Sequence, residues 1–249
     1  MIKVTHEQHH HLIASANNEI VLTGPPSSLT GPVMLQNSTD EHVMIRTVPV
    51  MNSKQGITSL PLKTSLKPGE TRSHNIRYAM NPFTPAGTYE MNVQLGNENK
   101  KVKMIVHEHL DVQLSPQSIV LVGMDAGQQH TKEIMLSNRG NIAVTVPTIK
   151  HNTLTDMDLV CRNLSKAIRA KGDEGIEKTL DEFTRTVKKD LGDWVDIAIR
   201  EAGQVIQPGQ SLLLHVTISI PNDANKNYHY NGEIRMFDKY IKYTIVEKK

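Results

Sequence analysis

The sequence is poor in aromatic residues: only 4% of its 249 positions are Phe, Trp or Tyr, and a single one is Trp. Its cores therefore have to be filled by Val, Ile, Leu and the eleven Met, side chains that adapt to irregular space. Cysteine is nearly absent as well, and Cys161 alone excludes an intramolecular disulfide. No stretch approaches the ~20 consecutive apolar residues of a membrane-spanning helix, so no transmembrane segment is expected. The opening MIKVTHEQHH has no apolar signal core. Neither sign of charge dominates: 28 Lys and Arg stand against 26 Asp and Glu, a net +2 that gives no basis for a nucleic-acid or anionic-membrane partner. Gly-x-Ser-x-Gly, phosphate-loop and dinucleotide-binding glycine patterns are all missing. The expectation is a chain that binds or scaffolds and is not an enzyme.

What the sequence does contain, outside one segment, is short strands. Residues 19–23, 33–36, 42–48, 57–65, 71–80, 88–95 and 101–107 are rich in Val, Ile, Met and Leu. Turn residues separate them, among them Gly24-Pro25-Pro26, Lys67-Pro68-Gly69 and Gly96-Asn97-Glu98-Asn99. Tyr89, Met91, Val93 and Leu95 alternate with Glu90, Asn92 and Gln94, the period-2 pattern of a strand with one buried face. Strands at this spacing predict an all-β sandwich or barrel, and the length suits two domains.

The same landmarks then recur. Val33–Asn37 aligns with Ile134–Asn138, Leu66-Lys67-Pro68-Gly69-Glu70 with Ile206-Gln207-Pro208-Gly209-Gln210, and Gly87–Met91 with Gly232–Met236. Asn37 and Pro68 are 31 positions apart, whereas Asn138 and Pro208 are 70 apart, so the second copy carries 39 additional residues. That excess falls on the one segment with helical periodicity, 155–203. Ile176, Leu180, Phe183, Val187 and Leu191 form one amphipathic stripe, and Leu159, Val160, Leu164 and Ile168 an earlier one. Gly172-Asp173-Glu174-Gly175 separates the two helices, and Trp194, Val195, Ala198 and Ile199 suggest a third short helix ending near Gly203. The expected organisation is a polar His-rich segment 1–18, a first sandwich 19–109, and a second sandwich 110–249 with the helical insertion 155–203.

These landmarks resemble the immunoglobulin-like modules of bacterial and archaeal surface and periplasmic proteins. The similarity rests on Asn138-Arg139-Gly140-Asn141, the Pro-Gly turns, Ile218-Ser219-Ile220-Pro221 and Tyr230-Asn231-Gly232, and covers nearly all the chain outside 1–18 and 155–203. It implies an all-β fold of two tandem immunoglobulin-like β-sandwiches, the second with an α-helical insertion. It also implies a spacer, adhesion or docking role, as a subunit of a surface filament, an envelope layer or a membrane complex. The location implied is extracytoplasmic, periplasm or cell surface, after removal of a signal; the cytoplasm is the alternative. Two-domain periplasmic pilus chaperones are a related comparison, but the basic pair that they use to anchor a carboxylate has no counterpart that can be placed here.

Three sets of residues carry the candidate chemistry. The insertion presents Phe183, Val187, Leu191 and Trp194, apolar residues that suit a protein partner or a second copy of the chain. The competing reading packs these stripes on the sheet or on each other. His6, His9, His10 and His11, with His107 and His109 as a second group, offer imidazole ligands for copper or zinc, the basis of an alternative function as a copper-binding or redox-accessory protein. The competing readings are a mobile polar tail and a solvent-facing edge strand. Cys161, within the first stripe, reads as a structural thiol.

Overall fold

In the computed structural model the described residues are 13–15, 19–52, 56–95, 98–123, 125, 127–156, 158–190, 193–222 and 229–246. They form two compact units, Met1–Asp111 with Arg139–Ile142, and Val112–Asn138 with Ala143–Lys249. No helix is long and apolar enough to cross a membrane among these residues.

The first unit contains β1 (Ile13–Ser15), β2 (Glu19–Gly24), β3 (Leu29–Asn37), β4 (Val43–Asn52), β5 (Gly56–Leu66), β6 (Thr71–Tyr78), β7 (Gly87–Leu95) and β8 (Glu98–Val106). The strand order is β1-β3-β2-β8-β7-β4-β5, with β6 paired to β3. Strict alternation dictates which face turns inward. In β3, Leu29, Gly31, Val33, Leu35 and Asn37 are buried while the intervening residues are exposed. Ile20, Leu22, Leu29, Val33, Leu35 and Leu66 are fully buried in the core, each contributing about 1.5–3 kcal/mol relative to exposure.

The second unit runs β9 (Val112–Ser115), β10 (Ser118–Val122), β11 (Gln129–Asn138), β12 (Val144–Thr145), β13 (His151–Asp156), α1 (Leu159–Lys171), α2 (Ile176–Asp190), β14 (Asp193–Ile199), β15 (Val205–Ile206), β16 (Ser211–Ser219), β17 (Tyr230–Met236) and β18 (Lys239–Val246). Its main sheet has the order β10-β18-β17-β13-β14-β16-β11-β9, and β12 pairs with β15 separately. The core centres on Leu121, Ile134, Leu136, Leu214, Val216 and Ile241.

The two units share one backbone plan. β1 pairs with β3 as β9 pairs with β11. β3 pairs with β6 as β11 does with β16, and β4 with β7 as β13 with β17. The last two strands form an antiparallel hairpin in each, and an early strand lies parallel to the last: β2 on β8, β10 on β18. This topology is that of an immunoglobulin-like β-sandwich. The fold is all-β, two such sandwiches in tandem, with a helical insertion in the second.

Two of the three repeated sequence landmarks, the Asn and the Pro-Gly turn, are repeated contacts; Gly87 and Gly232 are not, since a Cβ at Gly87 would meet only Tyr89 at 3.9 Å. Asn37 ends β3 and Asn138 ends β11, and both side chains are buried. The Asn37 amide donates to the carbonyls of Leu66 (3.2 Å), Lys67 (3.0 Å) and Glu41 (2.8 Å); the Asn138 amide donates to Ile206 (3.0 Å). Their backbone N–H groups donate to Glu70 and Gln210, the final residues of the two Pro-Gly turns. Gly69 and Gly209 sit there at φ 67° and 80°, the left-handed region that disfavours a side chain. Each turn is closed again by its own last residue, since the Lys67 N–H donates to the Glu70 carboxylate and the Gln207 N–H to the Gln210 amide oxygen. In β17, Gly232 faces Tyr243 of β18. A Cβ at Gly232 would lie 2.1 Å from the tyrosine ring, so the absent side chain is what lets the buried ring cross the strand.

The insertion departs from expectation in one respect. Trp194–Ile199 is a strand, β14, and not a third helix. Val195, Ile197 and Ile199 are buried in the core and alternate with exposed Asp196 and Ala198, and β14 bridges β13 and β16. The helical excess is thus confined to α1 and α2, joined by a 3-10 turn at Gly172–Glu174.

Candidate functional site, a helical arm

β13 and β14 are antiparallel neighbours, paired from His151↔Asp196 to Leu154↔Asp193. Between them the chain leaves the sheet, forms α1, turns, and returns as α2. The two helices pack chiefly against each other, making an arm based on one β-hairpin. Its tip is closed by the Thr179 hydroxyl, which donates to the carbonyls of Gly175 (2.9 Å) and Lys171 (3.1 Å). Glu174 joins Lys171 (2.7 Å) and Lys178 (3.0 Å), and these cations hold its carboxyl below the ordinary range. Both pairs are exposed and add little stability.

The seam between the helices is weakly apolar. α1 turns Leu159, Asn163 and Ala167 inward, and α2 contributes Thr179 with the half-buried Phe183, Thr186 and Val187. Asn163 is fully buried, and neither its Oδ1 nor its Nδ2 has a hydrogen-bond partner among the described residues. An amide in that state costs about 1–3 kcal/mol.

The larger aliphatic side chains point elsewhere. Val160 (59% exposed), Leu164 (40%), Ile168 (54%), Ile176 (81%) and Leu180 (52%) all meet solvent. At about 100° per residue, the Val160-Leu164-Ile168 stripe lies one step round α1 from its inward face. Ile176, Leu180, Phe183 and Val187 lie roughly 80° round α2 from Thr179 and Thr186, in the same rotational sense. Because the helices are antiparallel, the same sense of rotation brings both stripes to one side of the arm. The result is a continuous aliphatic face. α1 carries four cationic residues, Arg162, Lys166, Arg169 and Lys171, and no acidic one; α2 carries four of each sign.

Of the partner residues expected from sequence, Phe183 and Val187 lie half-buried beside this face. Leu191 lies outside the described residues, and Trp194 belongs to β14, at the arm's base rather than on a helix. Sequence reasoning grouped Val160, Leu164 and Ile168 as a stripe without ranking them as a site. The signal for their exposure is the polar and small character of Asn163, Ala167 and Thr179, which leaves the arm no apolar seam of its own.

His6, His9, His10 and His11 lie outside the described residues. His107 and His109 follow the end of β8 in irregular backbone, so the strand geometry expected to put them on one side is not present there. The Asn141 side chain ties that backbone, donating to the His107 carbonyl (2.9 Å) and accepting from the His109 N–H (2.7 Å). Among the described residues no three His, Cys, Asp or Glu side chains are grouped to hold a metal ion. Cys161 is exposed on α1 rather than buried.

One polar cluster in the second unit was not anticipated. Glu201, 7% exposed, accepts from the His215 N–H (2.7 Å), bonds His215 Nδ1 (2.7 Å) and accepts from Arg200 Nε (3.0 Å). Burial pushes the Glu201 carboxyl up, but these donors together outweigh it and hold the group down at about 2. All partners are local and satisfied, so the cluster reads as a brace for the β14–β16 end of the sheet.

The fold class defined by this topology is the immunoglobulin-like tandem sandwich, and solved structures of that class align with the chain loosely. The titin I9–I11 tandem is 9% identical, with a TM-score of 0.26, and the alignment covers 95% of this chain and 66% of that one. The periplasmic chaperone SfaE is 12% identical over 95% of this chain and 100% of its own, with a TM-score of 0.27. Domains 4 and 5 of the S-layer protein SbsC are 12% identical over 81% and 99%, with a TM-score of 0.26. No family model and no curated protein matches the sequence.

Proposed function

We propose that this chain is a non-catalytic structural or interaction subunit of a larger extracytoplasmic assembly, and that it docks through the helical arm. The exposure of Val160, Leu164, Ile168, Ile176 and Leu180 on one face carries this reading. Scattered apolar residues on a surface need no explanation, but a contiguous aliphatic face of roughly 300–600 Å² is a size at which monomer patches are often functional. A sandwich closes without the arm, as the first unit does, so the arm is not there to complete a core. Free backbone along the outermost strands β5 and β10 adds a second mode of attachment by strand addition. The location outside the cytoplasm is supported by the resemblance of the Asn138–Asn141, Pro-Gly and Tyr230–Gly232 segments to surface and periplasmic modules.

The test is to replace 157–192 by Asn-Gly, which leaves a four-residue loop, Thr155-Asp156-Asn-Gly, between the paired Leu154 and Asp193. The spliced chain is expected to keep its β-sheet circular dichroism and cooperative unfolding while losing its place in the native complex, read by cross-linking in cells. A spliced chain that assembles like the intact one overturns the reading. Excising the whole of 155–203 would not serve, because it removes β14 and with it Val195, Ile197 and Ile199 from the core.

A further inference from the structure

We infer that the occupant of the aliphatic face is a second copy of the same arm, and that the chain forms a two-fold dimer through a four-helix bundle. This rests on the arm being the docking element. The face belongs to two antiparallel helices of similar length, 13 and 15 residues, whose exposed residues are aliphatic and without an aromatic anchor. Such a face has no pocket and no protruding knob. Its best complement is another face of the same relief, and a two-fold axis along the helices sets α1 of each copy antiparallel on α2 of the other. Every helix then has only antiparallel neighbours, the arrangement of an up-down bundle.

The area agrees with that occupant. Two such faces with their rims reach about 1,000–1,200 Å², where specific interfaces begin. Asn163 fits the same picture. A polar residue inside a helix pair weakens that pair yet specifies one register and one bundle size, which suits a seam stabilised by association rather than by its own packing.

The full chain is expected to sediment as a dimer across the micromolar range. L164E combined with I176E places charge on the face while leaving the seam intact, and should weaken self-association by at least ~100-fold with an unchanged circular dichroism spectrum. Because Cys161 is the sole cysteine, spin labels attached there report the bundle directly: one narrow inter-label distance in the native dimer, lost in L164E/I176E. A chain that is monomeric, or a dimer that survives L164E/I176E, overturns the inference. If the monomer instead binds vesicles or an unlike protein, and L164E/I176E abolishes that binding, the second copy is wrong and the docking arm stands. If neither L164E/I176E nor the 157–192 replacement alters any association, both fall.

Discussion

The link between β4 and β5 and the link between β13 and β14 occupy the same place in the two units, yet one needs three residues and the other carries two helices. In the first unit the strands are joined between Asn52 and Gly56; in the second, between Asp156 and Asp193, comes an arm of 36 residues. β4 and β13 hold matching places beside β7 and β17, but β5 ends its sheet whereas β14 lies between β13 and β16. The comparison separates what the fold requires from what was added to it. Alternating aliphatics, the buried Asn37 and Asn138, and the Pro-Gly turns appear twice. The helices appear once, and they leave Val160, Leu164, Ile168, Ile176 and Leu180 exposed. Side chains that serve the sandwich are enclosed by it, and those that serve something else are left at the surface.

That division predicts how substitutions should behave. The largest effect belongs to the base of the arm: Ile197→Ala in β14 should destabilise the second unit by about 2–5 kcal/mol. Leu180→Ala on α2, a similar loss of atoms, should stay within about 0.5 kcal/mol of its parent when both are measured in the monomeric L164E/I176E background. Thermal or denaturant unfolding checks both, and equal costs would erase the distinction between core and arm. Next come the paired asparagines. Asn37→Ala and Asn138→Ala each leave buried carbonyls unpaired and should cost about 1–3 kcal/mol. Similar melting shifts in the two variants would show that the landmark works alike in both units. The smallest effect, confined to acid, belongs to Glu201. Its carboxyl titrates at about 2 rather than at the ordinary 4.5. Its contribution is therefore present above pH ~4.5 and is lost as pH falls toward 2. Glu201→Gln should flatten the acid side of the stability curve of the second unit while leaving that of the first unchanged; an identical acid limb would remove Glu201 as the brace.

Much of this plan was legible in the residues. Asn37 with Pro68-Gly69, and Asn138 with Pro208-Gly209, could be matched because a buried amide bonded to a fixed turn tolerates few replacements. The mismatch in spacing between them marked the insertion. β14 was harder. Trp194, Val195, Ala198 and Ile199 satisfy a helical period, while Val195, Ile197 and Ile199 satisfy a strand period equally well, and seven residues next to two helices do not decide between them. Pairing with β13 and β16 decided it, and that information is tertiary. The orientation of α1 was hidden for a similar reason. Leu159, Val160, Leu164 and Ile168 show that the helix is amphipathic, but not that Asn163 and Ala167, rather than Val160, Leu164 and Ile168, would meet α2. The Glu201 brace was invisible because Glu201 and His215 lie fourteen positions apart and are brought together only by the turn between β14 and β16.

The base of the arm has a consequence for how such a chain diversifies. The last pair of strand residues at the arm's base, Leu154 and Asp193, is directly opposed, and Cα atoms in such an antiparallel pair lie only about 5 Å apart. Any segment with closely spaced ends can be spliced there without disturbing the register of the sheet below. The sandwich thus works as a socket, and its recognition element can be exchanged by recombination at a single loop while the carrier stays constant.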